Sequence, residues 1–176
     1  MKAIIIIDAQ NEFSKNGKRP VPNFIDVIEE IFKQVEFARE NNIPIAWVRH
    51  FNQPNESSAY IPGTWGSEFY TGLGPLKDKK LEREFHKNVY GAFTGSNIGQ
   101  WLNSLHITEV IIMGFYTHGC VSTTAREAIM AGFNVSLPIN TTGACNIEHE
   151  LLGEITANEV RRSSLLHLAN MGAEIL

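Results

Sequence analysis

The chain has 176 residues, 43% of them hydrophobic and 19% charged, which suits one globular domain spanning 1–176 with a real core. Fifteen basic against nineteen acidic side chains leave a net charge of −4, so no basic field exists to attract a nucleic-acid backbone. No segment approaches the ~18 uninterrupted apolar residues of a membrane span, and the opening run lacks the features of a signal peptide. The expectation is a cytoplasmic protein without a membrane or nucleic-acid partner, whose two cysteines, Cys120 and Cys145, stay as thiols.

In chain order, Ala3–Ile7 reads as a buried parallel strand because its apolar run is continuous rather than alternating. Ile25, Ile28, Phe32, Val35 and Ala38 then share one face at helical spacing. Ile45–Val48 is a short strand. Phe51–Lys80 is rich in Asn, Ser, Gly and Pro with Trp65, Phe69 and Tyr70 interspersed, which predicts a long ordered flap rather than a linker. A weak, charged strand over Leu81–Phe85 precedes Lys87. A helix follows over Asn97–Leu105, then the second strongly apolar strand, Val110–Met113. Helix Val121–Met130 closes at Gly132, where a C-terminal glycine belongs. Strand Val135–Leu137, a helix over roughly Glu148–Asn170 and a terminal strand Ala173–Leu176 complete the chain. Alternating strand and helix predicts a parallel sheet covered on both faces.

Three residues carry the candidate chemistry. Cys120 lies between the Val110 strand and the following helix. Free amides and the helix dipole at a helix start favour a thiolate there, which predicts a thiol pKa below the ordinary ~8.5. The same amides could hold an oxyanion. Asp8 ends the first strand, at the carboxyl edge where doubly wound sheets bind ligands. A carboxylate there can take a thiol proton and later activate water. Lys87 could stabilise the developing charge, and His86 beside it competes for that place. Each residue also has a plainer reading. Cys120 could be a small buried hydrophobe, Asp8 a turn former and Lys87 a solvated surface charge.

Longer motifs surround these residues. Ile6-Ile7-Asp8-Ala9-Gln10-Asn11-Glu12-Phe13, Phe85-His86-Lys87-Asn88-Val89-Tyr90-Gly91-Ala92-Phe93 and Gly114-Phe115-Tyr116-Thr117-His118-Gly119-Cys120-Val121-Ser122-Thr123-Thr124-Ala125-Arg126-Glu127-Ala128 occur in that order, with Pro62-Gly63-Thr64-Trp65-Gly66 between the first two. The sequence thereby resembles the isochorismatase-like or cysteine hydrolases, which include nicotinamidases and N-carbamoylsarcosine amidases. The resemblance implies a three-layer α/β/α fold with a six-stranded parallel sheet ordered 3-2-1-4-5-6. It also implies a triad of Asp8, Lys87 and Cys120. A cis peptide between Phe115 and Tyr116 would aim the Tyr116 amide beside that of Cys120 as an oxyanion hole. In that strand order Lys87 starts two strand spacings, roughly 10 Å, from Asp8, so its side chain must reach inward across the second strand.

The resemblance further implies a homo-oligomer acting on a small amide, ureide or carbamoyl substrate. Nicotinamidases of the superfamily bind a metal through an Asp-x-His motif after the second strand. The matching stretch here is Val48-Arg49-His50-Phe51, so no metal or other cofactor is expected, and His50 is read as a hydrogen-bonded wall residue. True isochorismatases generally lack the cysteine nucleophile, so Cys120 argues against vinyl-ether hydrolysis. Phe13, Trp65, Tyr90 and His118, with Tyr116, are candidates for the pocket wall, and Cys145 is read as a bystander. The competing class is a binding or redox-sensing module in which Cys120 is oxidisable but turns nothing over.

Overall fold

The computed structural model describes residues 1–77 and 80–176. Asp78 and Lys79, at the end of the expected flap, lie outside the described residues. Strand β1 (Lys2–Ile7) is followed by α1 (Phe24–Glu40), β2 (Ile45–His50), β3 (Glu82–Lys87), α2 (Ile98–Ser104) and β4 (Glu109–Phe115). Then come α3 (Ser122–Met130), β5 (Asn134–Leu137), β6 (Thr142–Gly143), β7 (Ile147–His149), β8 (Gly153–Ile155), α4 (Ala157–Asn170) and β9 (Glu174–Ile175). The principal strands run parallel in the order β3-β2-β1-β4-β5-β9. This is the implied order, with the terminal strand in sixth place. Two-residue β6 adds a seventh strand by pairing with the end of β4 beyond the shorter β5.

The isoleucine run shows why this sheet forms. Ile5 and Ile7 pack toward α2, α3 and α4, whereas Ile4 and Ile6 pack toward α1, so both faces of β1 are buried. Each such side chain contributes about 1.5–3 kcal/mol on leaving water. On α1 the buried stripe is Phe24, Val27, Ile28, Ile31, Val35 and Ala38, and the expected Ile25 points outward instead. Phe24 and Ile31 form the better-centred stripe because the helix turns 100° per residue.

The helix expected from Glu148 is corrected. Residues Ile147–Ile155 form an antiparallel hairpin, β7–β8, and α4 begins only at Ala157. Gly153 takes a positive φ of 75°, which ends any helical path, and Thr156 with Glu159 forms a reciprocal capping box that starts α4. Among the described residues no helix is long and apolar enough to cross a membrane.

One close approach fixes the sheet where β1 meets β4. Gly114 has φ of 118° and pairs with Ile7, and a Cβ there would lie 1.9 Å from the Ile7 carbonyl oxygen. Gly114→Ala is therefore expected to lower the urea midpoint, with about 1–3 kcal/mol from the backbone conformation alone and more from the overlap. An unchanged midpoint would show that the two strand ends do not approach this closely.

Candidate active site

Asp8 is the first residue past β1 and takes a left-handed conformation, φ 53°, with its N–H donated to the Val48 carbonyl. Lys87 is the last residue of β3 and pairs with His50, the last residue of β2. Its stem crosses the end of β2, as the strand order required. The Lys87 Nζ lies 2.7 Å from Asp8 Oδ2, 3.2 Å from Cys120 Sγ and 3.1 Å from His50 Nδ1. The Lys87 and Asp8 side chains are 0% and 1% exposed. Three distant segments thus meet at one nitrogen. His86, the competing residue, is exposed and bonded to Glu84 on the outer edge.

An ammonium can only donate, so His50 Nδ1 accepts and its Nε2–H donates to Asn52 Oδ1 at 2.7 Å. Burial, aided by the Lys87 charge, holds His50 below the ordinary imidazole range, which keeps it neutral for this role. Burial opposes the Lys87 charge, yet the neighbouring Asp8 and Cys120 outweigh it and raise the ammonium pKa. Atoms of Asp8, His50 and Cys120 all lie within 4.8 Å of one another, a spacing that could surround a cation. Lys87 Nζ makes short contacts with all three, and Arg49 is turned away to Glu84 and Glu68. The donor set therefore fits an ammonium group rather than a metal ion.

The expected low thiol pKa is corrected. Cys120 sits inside a wide π-helical turn, Thr117–Val121, interrupted by non-helical Gly119 (φ −107°, ψ −107°), and only afterwards does α3 begin. The sulfur is buried rather than poised on a clean helix terminus. Burial and then the Asp8 charge push the thiol up to about 12, although Lys87 pulls the other way. The resting thiol is protonated, with an ion pair beside it.

Asp8, His50 and Cys120 line a cavity of about 740 Å³, with the buried Lys87 ammonium behind them. Phe13, Tyr60 and Tyr116 line its wall, with Phe13 ring centroids 5.5 Å from Tyr60 and 4.8 Å from Tyr116. His118 stacks on Tyr116 at 5.0 Å, and Tyr90 stands at the rim, 67% exposed. Trp65 does not line this cavity. It is 54% exposed, and its backbone carbonyl accepts from Asn11 Nδ2. Cys145, expected to be a bystander, does line it. The Phe115–Tyr116 peptide is cis, at the position the resemblance implied.

A sequence model of the isochorismatase domain matches residues 2–174. The chain belongs to the isochorismatase family. Nicotinamidase 3 of Arabidopsis thaliana is 29% identical over 164 residues, covering 84% of this chain and 76% of the relative. N-carbamoylsarcosine amidase of an Arthrobacter species is 28% identical over 155 residues, 80% of this chain and 59% of the relative. Among solved structures, an isochorismatase of Pseudomonas putida KT2440 superposes with a TM-score of 0.90 at 26% identity, covering 99% of this chain and 86% of that one.

The family frame is held by polar staples that local sequence reasoning left unassigned. Gln10 of the first motif donates Nε2–H to the His50 and Ser67 carbonyls and accepts the His50 N–H on Oε1. The buried Glu12 carboxylate accepts the N–H groups of Lys18 and Tyr60. Together they tie the long loop after β2 to the end of β1, which is how Tyr60 reaches the cavity. On the other side, Glu127 of α3 accepts the Phe93 N–H and Thr124 the Ala92 N–H, anchoring the chain that leaves Lys87. Arg19, Asn52, Glu56, Asn88 and Thr123 also line the cavity. Their signal in the sequence was only proximity to the three motifs or to the flap.

Proposed function

We propose that this isochorismatase-family hydrolase cleaves a small amide, ureide or carbamoyl compound through a thioester on Cys120. The observation that carries the reading is the single buried Lys87 ammonium touching both Asp8 and Cys120, which themselves line a substrate-sized cavity. The amide-cleaving relatives, a nicotinamidase and an N-carbamoylsarcosine amidase, support the same bond type. Asp8 takes the thiol proton as sulfur attacks the carbonyl carbon, so no free thiolate need accumulate. The Tyr116 and Cys120 amides hold the oxyanion and Lys87 supports its charge. The proton passes from Asp8 to the leaving nitrogen, the C–N bond breaks and ammonia or amine departs. Asp8 then deprotonates a water that attacks the thioester, releasing the acid and restoring the thiol. Phe13, Tyr90 and His118 shape the substrate's surroundings. No metal takes part in these steps, and the proposed setting is the cytoplasm, with both thiols reduced.

The redox-sensor alternative is weakened by the same geometry, since a buried, protonated thiol is a poor target for peroxide. The deciding experiment screens small amides, ureides and carbamoyl compounds for ammonia or amine release. Intact-protein mass spectrometry then looks for an acyl adduct mapped to Cys120. Release with a transient Cys120 adduct is the expected result. Hydrolysis of a vinyl ether such as isochorismate, with no adduct and no amide turnover, would overturn it.

A further inference from the structure

The cavity beside Cys120 holds one charge that the reaction steps leave unused. Asp8 is neutralised by Lys87 at 2.7 Å. Glu56, in the loop after β2, accepts the Gln53 N–H on Oε2 at 2.7 Å. His50 and His118 are held below the ordinary imidazole range, chiefly by burial, and stay neutral. Arg19 remains. It lines the cavity, yet among the described residues it makes no ion pair. Neighbouring Lys18 is engaged elsewhere, its ammonium donating to the Ser58 carbonyl.

The backbone of Arg19 is fixed on both sides. Its N–H donates to the Glu12 carbonyl at 3.0 Å, and its carbonyl accepts from the Tyr116 hydroxyl at 2.9 Å. Its charge also reaches the cavity wall. Burial raises the Tyr60 and Tyr116 phenols, while Arg19 pulls both back and Cys120 acts on both as well. The thiol and the guanidinium therefore face one compartment.

We infer that Arg19 binds a carboxylate on the substrate, at the end away from the scissile carbonyl. The compounds cleaved would then be amido or ureido acids, a conclusion that rests on the hydrolase reading above. A guanidinium offers two parallel N–H donors in the plane of a carboxylate. A monoanion fits better than a phosphate dianion, because Arg19 is a single cation and Glu56 on the same wall would repel further negative charge. The contact lies away from the bonds that change, so it is made equally in the ground and transition states. Its loss should raise KM and leave kcat little altered.

Isothermal titration of the Cys120→Ser variant tests this without turnover. Succinamate and 3-ureidopropionate are compared with their uncharged counterparts, succinamide and 3-ureidopropionamide. The acids are expected to bind about tenfold tighter, and no more, because Arg19 is exposed and water screens the pair. Adding Arg19→Gln should weaken the acids about tenfold and leave the carboxamides within twofold, whereas Arg19→Lys should keep an intermediate preference. With Cys120 intact, Arg19→Gln should raise KM for the acids and hold kcat within twofold. Equal or absent binding of the acids, or parallel weakening of acids and carboxamides, would overturn the inference. So would tighter binding of 3-phosphonopropionamide than of succinamate. Carboxamide turnover through a Cys120 adduct with no preference for acids would sink this inference alone. Arg19-dependent binding of acids, with no turnover and no adduct in the wild type, would instead sink the hydrolase reading and leave the carboxylate site standing.

Discussion

Cys120→Ser is expected to lower turnover of an amide substrate by about 10⁴-fold or more, as loss of a nucleophile does when the other groups cannot act alone. Asp8→Asn is expected to cause a loss of comparable order while moving the thiol's reactivity in the opposite direction. In the wild type, burial first and the Asp8 charge second hold the thiol near 12, so iodoacetamide should label Cys120 slowly at pH 8 and keep accelerating past pH 10. Removing the Asp8 charge deletes one contribution that raises this value and leaves the Lys87 ammonium unneutralised. Alkylation of Cys120 should then set in at lower pH, mapped by peptide mass spectrometry to separate it from Cys145. Faster alkylation with abolished turnover is the signature of a general base. If Asp8→Asn slowed both, the carboxylate would instead be maintaining a thiolate, and the protonated resting state derived above would be wrong.

Lys87→Met is expected to carry the largest stability cost in the molecule. It leaves Asp8 buried without its 2.7 Å partner, and stripping one member from a buried ion pair costs about 3–5 kcal/mol. Adding Asp8→Asn removes the stranded charge, so the double variant should recover more than half of that loss in urea denaturation while remaining inactive. Additive losses would mean that the two side chains are not coupled.

A parallel sheet covered on both faces was legible in the apolar runs alternating with helices, whereas the strand order and the meeting of Asp8, Lys87 and Cys120 were legible only through the family resemblance that the three motifs carry. Position along a strand sets which edge a residue occupies, and Asp8 and Lys87 each end one. The thiol's environment was not legible. A turn followed by a helix reads alike whether the cysteine is presented to solvent or folded into a wide turn beneath Gly119, and only three-dimensional burial distinguishes them. The hairpin was missed for a different reason. Glu148-His149-Glu150-Leu151-Leu152 has helical composition, and the start of α4 is marked instead by the capping box Thr156-x-x-Glu159. Trp65 was misassigned because aromatic character in a flap says nothing about which way the ring faces, whereas Tyr60 reaches the site through a hydrogen bond to Glu12 that no local pattern encodes.

Asp8 and Lys87 are mounted where two strands end and Cys120 in the turn that follows a third, whereas Asn52, Glu56 and Tyr60 of the cavity wall come from the segment after β2 and Cys145 and Ile147 from the root of the β7–β8 hairpin. The reacting centre and this part of the wall are thus written in different stretches of chain. Exchange of the segment over 52–64 between family members, leaving Gln10 and Glu12 to re-anchor it, is the natural route by which one ancestral reaction would diversify toward new compounds.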